Sequence, residues 1–217
     1  MSLESIILRI PAIFFAITIH EFAHGWVALR CGDPTARDAG RLTLNPLAHL
    51  DIFGAIMMIF GPFGWAKPVP VDSRYFGHYR RDIILVSVAG PVSNICAAVV
   101  FGLILRTAFE LQVPYLSNIY AISFLSLCFM LNLGLSFFNL IPVPPLDGSN
   151  IVLGLLPPAK VPTYFKYIQH VPKILLGMLL VEWVFKIPVF SRVFDPVFTP
   201  YFDFWQWVVF GHRMIAL

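Results

Sequence analysis

The chain has 217 residues, 58% of them hydrophobic and only 12% charged, with a formal net charge of +3 and a mean hydropathy of +0.78. An average soluble domain carries about 25% charged residues, so this composition excludes an ordinary soluble domain and indicates a polytopic membrane protein. The basic residues are scattered over loops, a pattern that argues against a nucleic-acid surface and agrees with cytoplasmic membrane edges.

The first apolar run, residues 6–29, is long enough for a spanning helix, since about 20 residues cross a bilayer core. Pro11 falls in its first turns, where proline is best tolerated. The run lacks a clear small-residue cleavage site and is read as a mature helix rather than a signal peptide. Arg30, Gly32, Asp33 and Pro34 stop it, and the alternation of residues 40–46 (GRLTLNP) predicts a short strand. Residues 50–65 are apolar again but short, and are interrupted by Gly54, Gly61, Pro62 and Gly64. Arg30, Arg37 and Arg41 precede this stretch and Lys67, Arg74, Arg80 and Arg81 follow it, so both flanks read as cytoplasmic. A segment with both ends on one side enters and leaves by the same face, which predicts a re-entrant piece there.

Residues 83–108 form the second predicted span, with Gly90, Pro91 and Asn94 inside it. The third, residues 119–141, runs into Pro142, Pro144 and Pro145, which must break the helix before Asp147. Residues 174–190 are a weaker span carrying Glu182 and Lys186, whose spacing predicts an ion pair on one helix face. Residues 202–217, with Trp183, Trp205 and Trp207 in or near them, read as a last span or an interfacial helix. Cys31, Cys96 and Cys128 form no CxxC pair, and no structural disulfide is expected. The predicted fold class is an all-α polytopic membrane protein. It comprises a three-helix core with a re-entrant β/loop segment (residues 1–156) and one or two C-terminal membrane helices with a candidate gating role (residues 157–217).

The first span carries the sequence HEFAH. On a helix, His20 and His24 share a face, so both imidazoles can point at one Zn²⁺ while Glu21 lies beside them, placed to deprotonate water. Ionisable groups at membrane depth are costly and are usually explained by function. A catalytic zinc takes three protein ligands and keeps one position open. Asp147, the only carboxylate between Glu110 and Glu182, is the best candidate for the third, its alternative being a turn aspartate in Pro-Leu-Asp-Gly. Asn94 can bond a ligand, a water or a neighbouring helix, and Asn132 reads as a packing residue. His49, Asp51 and His78 sit in loops beside basic residues and are expected to face solvent, while His170 and His212 have no partner at ligand spacing.

In order along the chain, HEFAH, GPVSN (residues 90–94) and NLIPVPPLDG (residues 139–148) resemble the motifs of the site-2 protease family of intramembrane zinc metalloproteases. The resemblance covers residues 6 to about 150 and implies that His20, His24 and Asp147 hold one Zn²⁺, with Glu21 as general base and later acid. It also implies that Asn139 helps hold the substrate strand or the oxyanion, with Asn94 a second candidate. GWAKPVPVD (residues 64–72) is similar to a segment of the short members that lack a PDZ domain, and no stretch here reads as one. The expected activity is hydrolysis of peptide bonds in or near transmembrane segments of membrane proteins, close to the cytoplasmic face of the cell membrane. The expected partners are those substrates and the lipid bilayer. Since a substrate helix must unwind to expose its carbonyls, a strand at residues 40–46 would have a use in pairing with it. The competing readings are a metal-binding transporter or channel, and a catalytically silent relative that binds membrane proteins.

Overall fold

The structure is a computed structural model and describes residues 3–60, 64–116 and 118–211. In chain order its α-helices are α1 (Leu3–Arg30), α2 (Thr35–Asp38), α3 (Ile52–Phe60), α4 (Tyr79–Leu111), α5 (Ile119–Leu140), α6 (Asp147–Leu155), α7 (Val161–Ile168), α8 (Val171–Phe185) and α9 (Val189–Phe210). Among the described residues there is no strand. At 28 and 33 residues, α1 and α4 are about 42 and about 50 Å long, more than the ~30 Å of a bilayer's hydrocarbon core. Among the described residues, four stretches are long and apolar enough to cross a membrane: Ile6–Arg30, Tyr79–Leu111, Ile119–Leu140 and Pro158–Phe185. The protein is thus an all-α, multi-pass membrane protein.

α1, α4 and α5 form the core, each antiparallel to the next. Ala16 lies beside Asn94 while His24 lies beside Val86, and Asn94 meets Asn132 while Gly102 meets Phe129. Close approach depends on a missing side chain at Gly102, where a Cβ would stand 2.7 Å from Val209 Cγ1 and 3.0 Å from Phe129 Cδ2. α9 therefore packs as a further helix on this core, burying Phe202, Val209 and Phe210 against Ala98, Leu105, Leu125, Phe129 and Leu133. Its register is held by Tyr201, whose hydroxyl donates to Ser136 Oγ at 3.1 Å, and by Arg106, which donates to the Val209 carbonyl at 3.1 Å. The C-terminal stretch, expected as a last span or an interfacial helix, is a helix packed on the bundle and is not one of the four stretches long and apolar enough to cross.

Residues 40–46 do not form the predicted strand. The neighbouring chain offers no ladder, because Pro68 and Pro70 have no N–H to donate. Its carbonyls at Lys67 and Pro68 are taken by the Arg41 side chain instead, at 2.8 and 3.2 Å. Within residues 50–65, α3 is nine residues long, or about 14 Å, too short to cross. The chain then comes back: Trp65 lies against Gly54, where an added Cβ would be 1.9 Å from the Trp65 carbonyl oxygen. Residues 61–63 lie outside the described residues, as does His212. The predicted pairing of Glu182 with Lys186 is also absent. Lys186 has a φ of 59° and ends α8, which takes it off the helix face; Glu182 instead accepts from the Ser191 N–H at 2.9 Å and from its hydroxyl.

Candidate metal centre

The structure brings together three donors that are far apart in sequence. His20 and His24 come from consecutive turns of α1, and Asp147 is the first residue of α6. The helix break at Pro142, Pro144 and Pro145 turns the chain back, so that α6 begins against the end of α5. Gly148 makes that turn fit, since a Cβ there would be 2.4 Å from the Leu140 carbonyl oxygen and 2.5 Å from that of Ile141. His20 Nε2 and His24 Nε2 are 3.0 Å apart, and Asp147 Oδ2 is 3.1 Å from the first and 3.3 Å from the second. Both imidazoles are buried.

The hydrogen bonds at the far side of each ring fix the protonation at the near side. Asn94 donates its amide to the Ala16 carbonyl at 3.0 Å and to Asn132 Oδ1 at 2.9 Å, so its Oδ1 is free to accept. His20 Nδ1 lies 2.6 Å from that oxygen and must be the donor. His24 Nδ1 lies 2.7 Å from the Val86 carbonyl and must donate as well. In the neutral tautomers both Nε2 atoms then carry lone pairs, aimed at each other and at a carboxylate oxygen that is buried without a hydrogen-bond partner. Three converging lone pairs repel unless a cation lies between them. Zinc bonds of 2.0–2.2 Å in a tetrahedron would separate the donors by about 3.3–3.6 Å, a few tenths of an ångström beyond the spacing observed. The donor set, its geometry and its orphaned oxygen therefore fit a Zn²⁺ ion.

Gly90 of α4 completes the cage. A Cβ there would be 2.4 Å from His24 Nε2 and 2.7 Å from His20 Nε2, inside the space a metal needs. Glu21 is half-buried, and its Oε2 accepts from the Val69 N–H at 2.8 Å. Val69 belongs to the extended segment 64–72, whose end is secured by the buried Asp33 accepting from the Asp72 N–H at 2.7 Å. Beside it the Arg74 guanidinium grips the Asp72 carboxylate at 2.6–3.0 Å and holds that group below the usual carboxylate range.

The predicted site residues thus fall into two groups. His20, His24 and Asp147 meet in one cage with Glu21 adjacent in sequence. Asn94 is part of the site but acts on His20, and both its N–H groups are engaged, which leaves none for an oxyanion. Asn139 lies outside the cage, with one N–H on the Leu135 carbonyl of its own helix at 3.0 Å. His49, expected in solvent, is instead 1% exposed, with Nε2 2.8 Å from the Thr43 carbonyl. Asp51 caps α3 through the Gly54 N–H at 2.8 Å, while His78 and His170 are exposed. Sequence reasoning missed Gly90, Val69 and Asn132 as site residues; for Gly90 the GPVSN motif was the available signal, whereas Val69 acts through its backbone and leaves none.

A bundle of membrane helices closing over a His, His, Asp cage, with a glutamate next to the first histidine, has the donor set and the adjacent base that a metallopeptidase requires. The comparisons agree. Residues 107–181 match the model of peptidase family M50. The provisionally named zinc metalloprotease YwhC of Bacillus subtilis (strain 168) is 46% identical over 145 residues, 66% of each chain. The provisionally named zinc metalloprotease Rip2 of Mycolicibacterium smegmatis is 28% identical over 205 residues, 91% of this chain and 74% of that protein. The zinc metalloprotease MJ0392 of Methanocaldococcus jannaschii is 25% identical over 144 residues, 66% of this chain and 33% of that protein. No solved structure matches the chain significantly. The chain belongs to peptidase family M50, the site-2 protease family, and its match spans just under two thirds of YwhC.

Proposed function

We propose that this protein is an intramembrane zinc endopeptidase that hydrolyses peptide bonds in or near transmembrane segments of other membrane proteins. The observation that carries the reading is the convergence of two imidazole lone pairs and an unpartnered carboxylate oxygen, at near-tetrahedral spacing, one residue from a glutamate. His20, His24 and Asp147 would hold the ion. Bound there, zinc supplies Lewis acidity, bringing the pKa of water down to about 7 and polarising a carbonyl. Glu21 takes the proton of the attacking water as general base and returns it to the leaving amine as general acid. Asn94 keeps the His20 ring in its donor-outward tautomer. Asn139, with one of its two N–H groups on Leu135, has the other to offer to a substrate strand or an oxyanion.

The basic residues Arg30, Arg37, Arg41 and Lys67 follow the HEFAH end of α1, which supports an active site nearer the cytoplasmic face of the cell membrane. Transmembrane substrates must unwind locally before their carbonyls can be attacked, so helix-destabilising sequences are the expected targets. The test compares purified wild type with Glu21→Gln for zinc content and for cleavage of a model transmembrane substrate. Equal zinc with lost cleavage is expected; unchanged cleavage in the variant would remove Glu21 from the mechanism.

A further inference from the structure

We propose that Val69, through its backbone N–H, and Arg41, through the chain it clamps, are positioning residues for Glu21. The proposal rests on the reading of Glu21 as general base. Residues 68–70 are Pro-Val-Pro, so within them Val69 has the only N–H, and that hydrogen goes to Glu21 Oε2 at 2.8 Å. The donor is pinned on every side. Arg41 Nη2 bonds the carbonyls of Lys67 and Pro68 at 2.8 and 3.2 Å, and the Lys67 N–H bonds the carbonyl of the buried His49 at 3.0 Å. The Val69 side chain, 7% exposed, seats on Gly25, where a Cβ would be 3.2 Å from Val69 Cγ1 and 3.2 Å from Ala36 Cβ.

A glutamate's last torsion is broad, so its carboxylate turns freely unless something holds it. A fixed N–H on Oε2 sets the plane of the group and leaves Oε1 to meet the water it must deprotonate. General-base catalysis depends on that reach. The two prolines make the hold directional, because they stiffen the segment and leave no neighbouring amide to compete for the carboxylate. Arg41, outside the cage, thereby acts on the base through the segment it clamps.

The experiment uses the full chain with zinc and a model transmembrane substrate. Val69→Pro removes the N–H, and Val69→Ala keeps it while trimming the side chain. Val69→Pro should lower kcat about tenfold or more with KM and zinc content unchanged, and Val69→Ala and Arg41→Ala, which keep the N–H but loosen its hold, should fall between it and the wild type. Amide exchange supplies a readout independent of turnover and of how Val69→Pro folds. A peptide covering residues 67–70 reports on Val69 cleanly, as both prolines lack an exchangeable amide. Glu21→Ala should speed exchange at Val69 about tenfold or more, the factor expected on losing an N–H bond to a carboxylate. Wild-type cleavage with an unimpaired Val69→Pro, or Val69 exchange indifferent to Glu21→Ala, overturns the positioning role alone. A zinc-loaded wild type that cleaves no transmembrane substrate overturns the endopeptidase reading and this proposal with it.

Discussion

Gly90→Ala adds one methyl group to α4 at the wall of the metal cage. That methyl would be 2.4 Å from His24 Nε2, 2.6 Å from His20 Cε1 and 2.7 Å from His20 Nε2, where ordinary contact begins at 3.4 Å. The shortest gap must therefore open by 1.0 Å (3.4 − 2.4). The rings have little room to move, because His20 is tied to Asn94 at 2.6 Å and His24 to the Val86 carbonyl at 2.7 Å. Either bond, once broken, leaves a buried polar group unpaired at about 1–3 kcal/mol, and the overpacking adds about 1–3 kcal/mol. Misdirected ligands lower metal affinity as well, by about 10–100-fold when a supporting group is lost. The assay is zinc competition against a chromogenic chelator in detergent, with Gly134→Ala on α5 as control, since no atom lies within 4 Å of a Cβ there. Gly90→Ala should lose zinc affinity by about 100-fold or more, and Gly134→Ala should keep it. Wild-type affinity in Gly90→Ala would show that the cage is not where the lone pairs place it.

Asn94→Ala removes the acceptor for His20 Nδ1 and should weaken zinc about 10–100-fold in the same chelator assay; Asn132→Ala, which frees only the Asn94 amide, should cost less. Gly148→Ala meets two backbone carbonyls at 2.4 and 2.5 Å, atoms that yield less readily than side chains, so α6 and Asp147 should shift and zinc occupancy should fall, as measured by elemental analysis. Zinc at about 100 times its Kd should stabilise the fold by about 2.7 kcal/mol, read as a rise in Tm. Asp147→Ala should abolish most of that rise, and an undiminished one would assign the third ligand elsewhere.

The spanning core was legible because hydrophobic length survives any tertiary context: residues 6–29, 83–108 and 119–141 became α1, α4 and α5 with ends moved by a few residues. The paired histidines were equally legible, since helix periodicity alone puts residues four apart on one face. Asp147 was harder, because only the proline break and the resemblance separated a ligand from a turn aspartate. What could not be read were groups whose role depends on distant backbone. Gly90 acts by what it lacks, and the meaning of that absence is set by two rings on another helix. His49 looked exposed because its neighbours are loop residues, yet the chain folds over it and takes its carbonyl for Lys67.

The failed strand at residues 40–46 teaches most about this site. Its alternation was real, but a strand is a pairing, and pairing requires a partner with donors. The segment that lies alongside is Lys-Pro-Val-Pro, which has lost two of its four N–H groups to proline and spends the other two on the His49 carbonyl and on Glu21. Arg41 then takes the carbonyls that a ladder would have used. The prolines that defeat the sheet are also what leaves a single amide directed at the carboxylate. Replacing Pro68 and Pro70 by alanine would restore the missing donors. If the site depends on one donor in one direction, that double variant should keep zinc and substrate affinity and lose turnover; full turnover would mean that the prolines serve only to keep the segment out of a sheet.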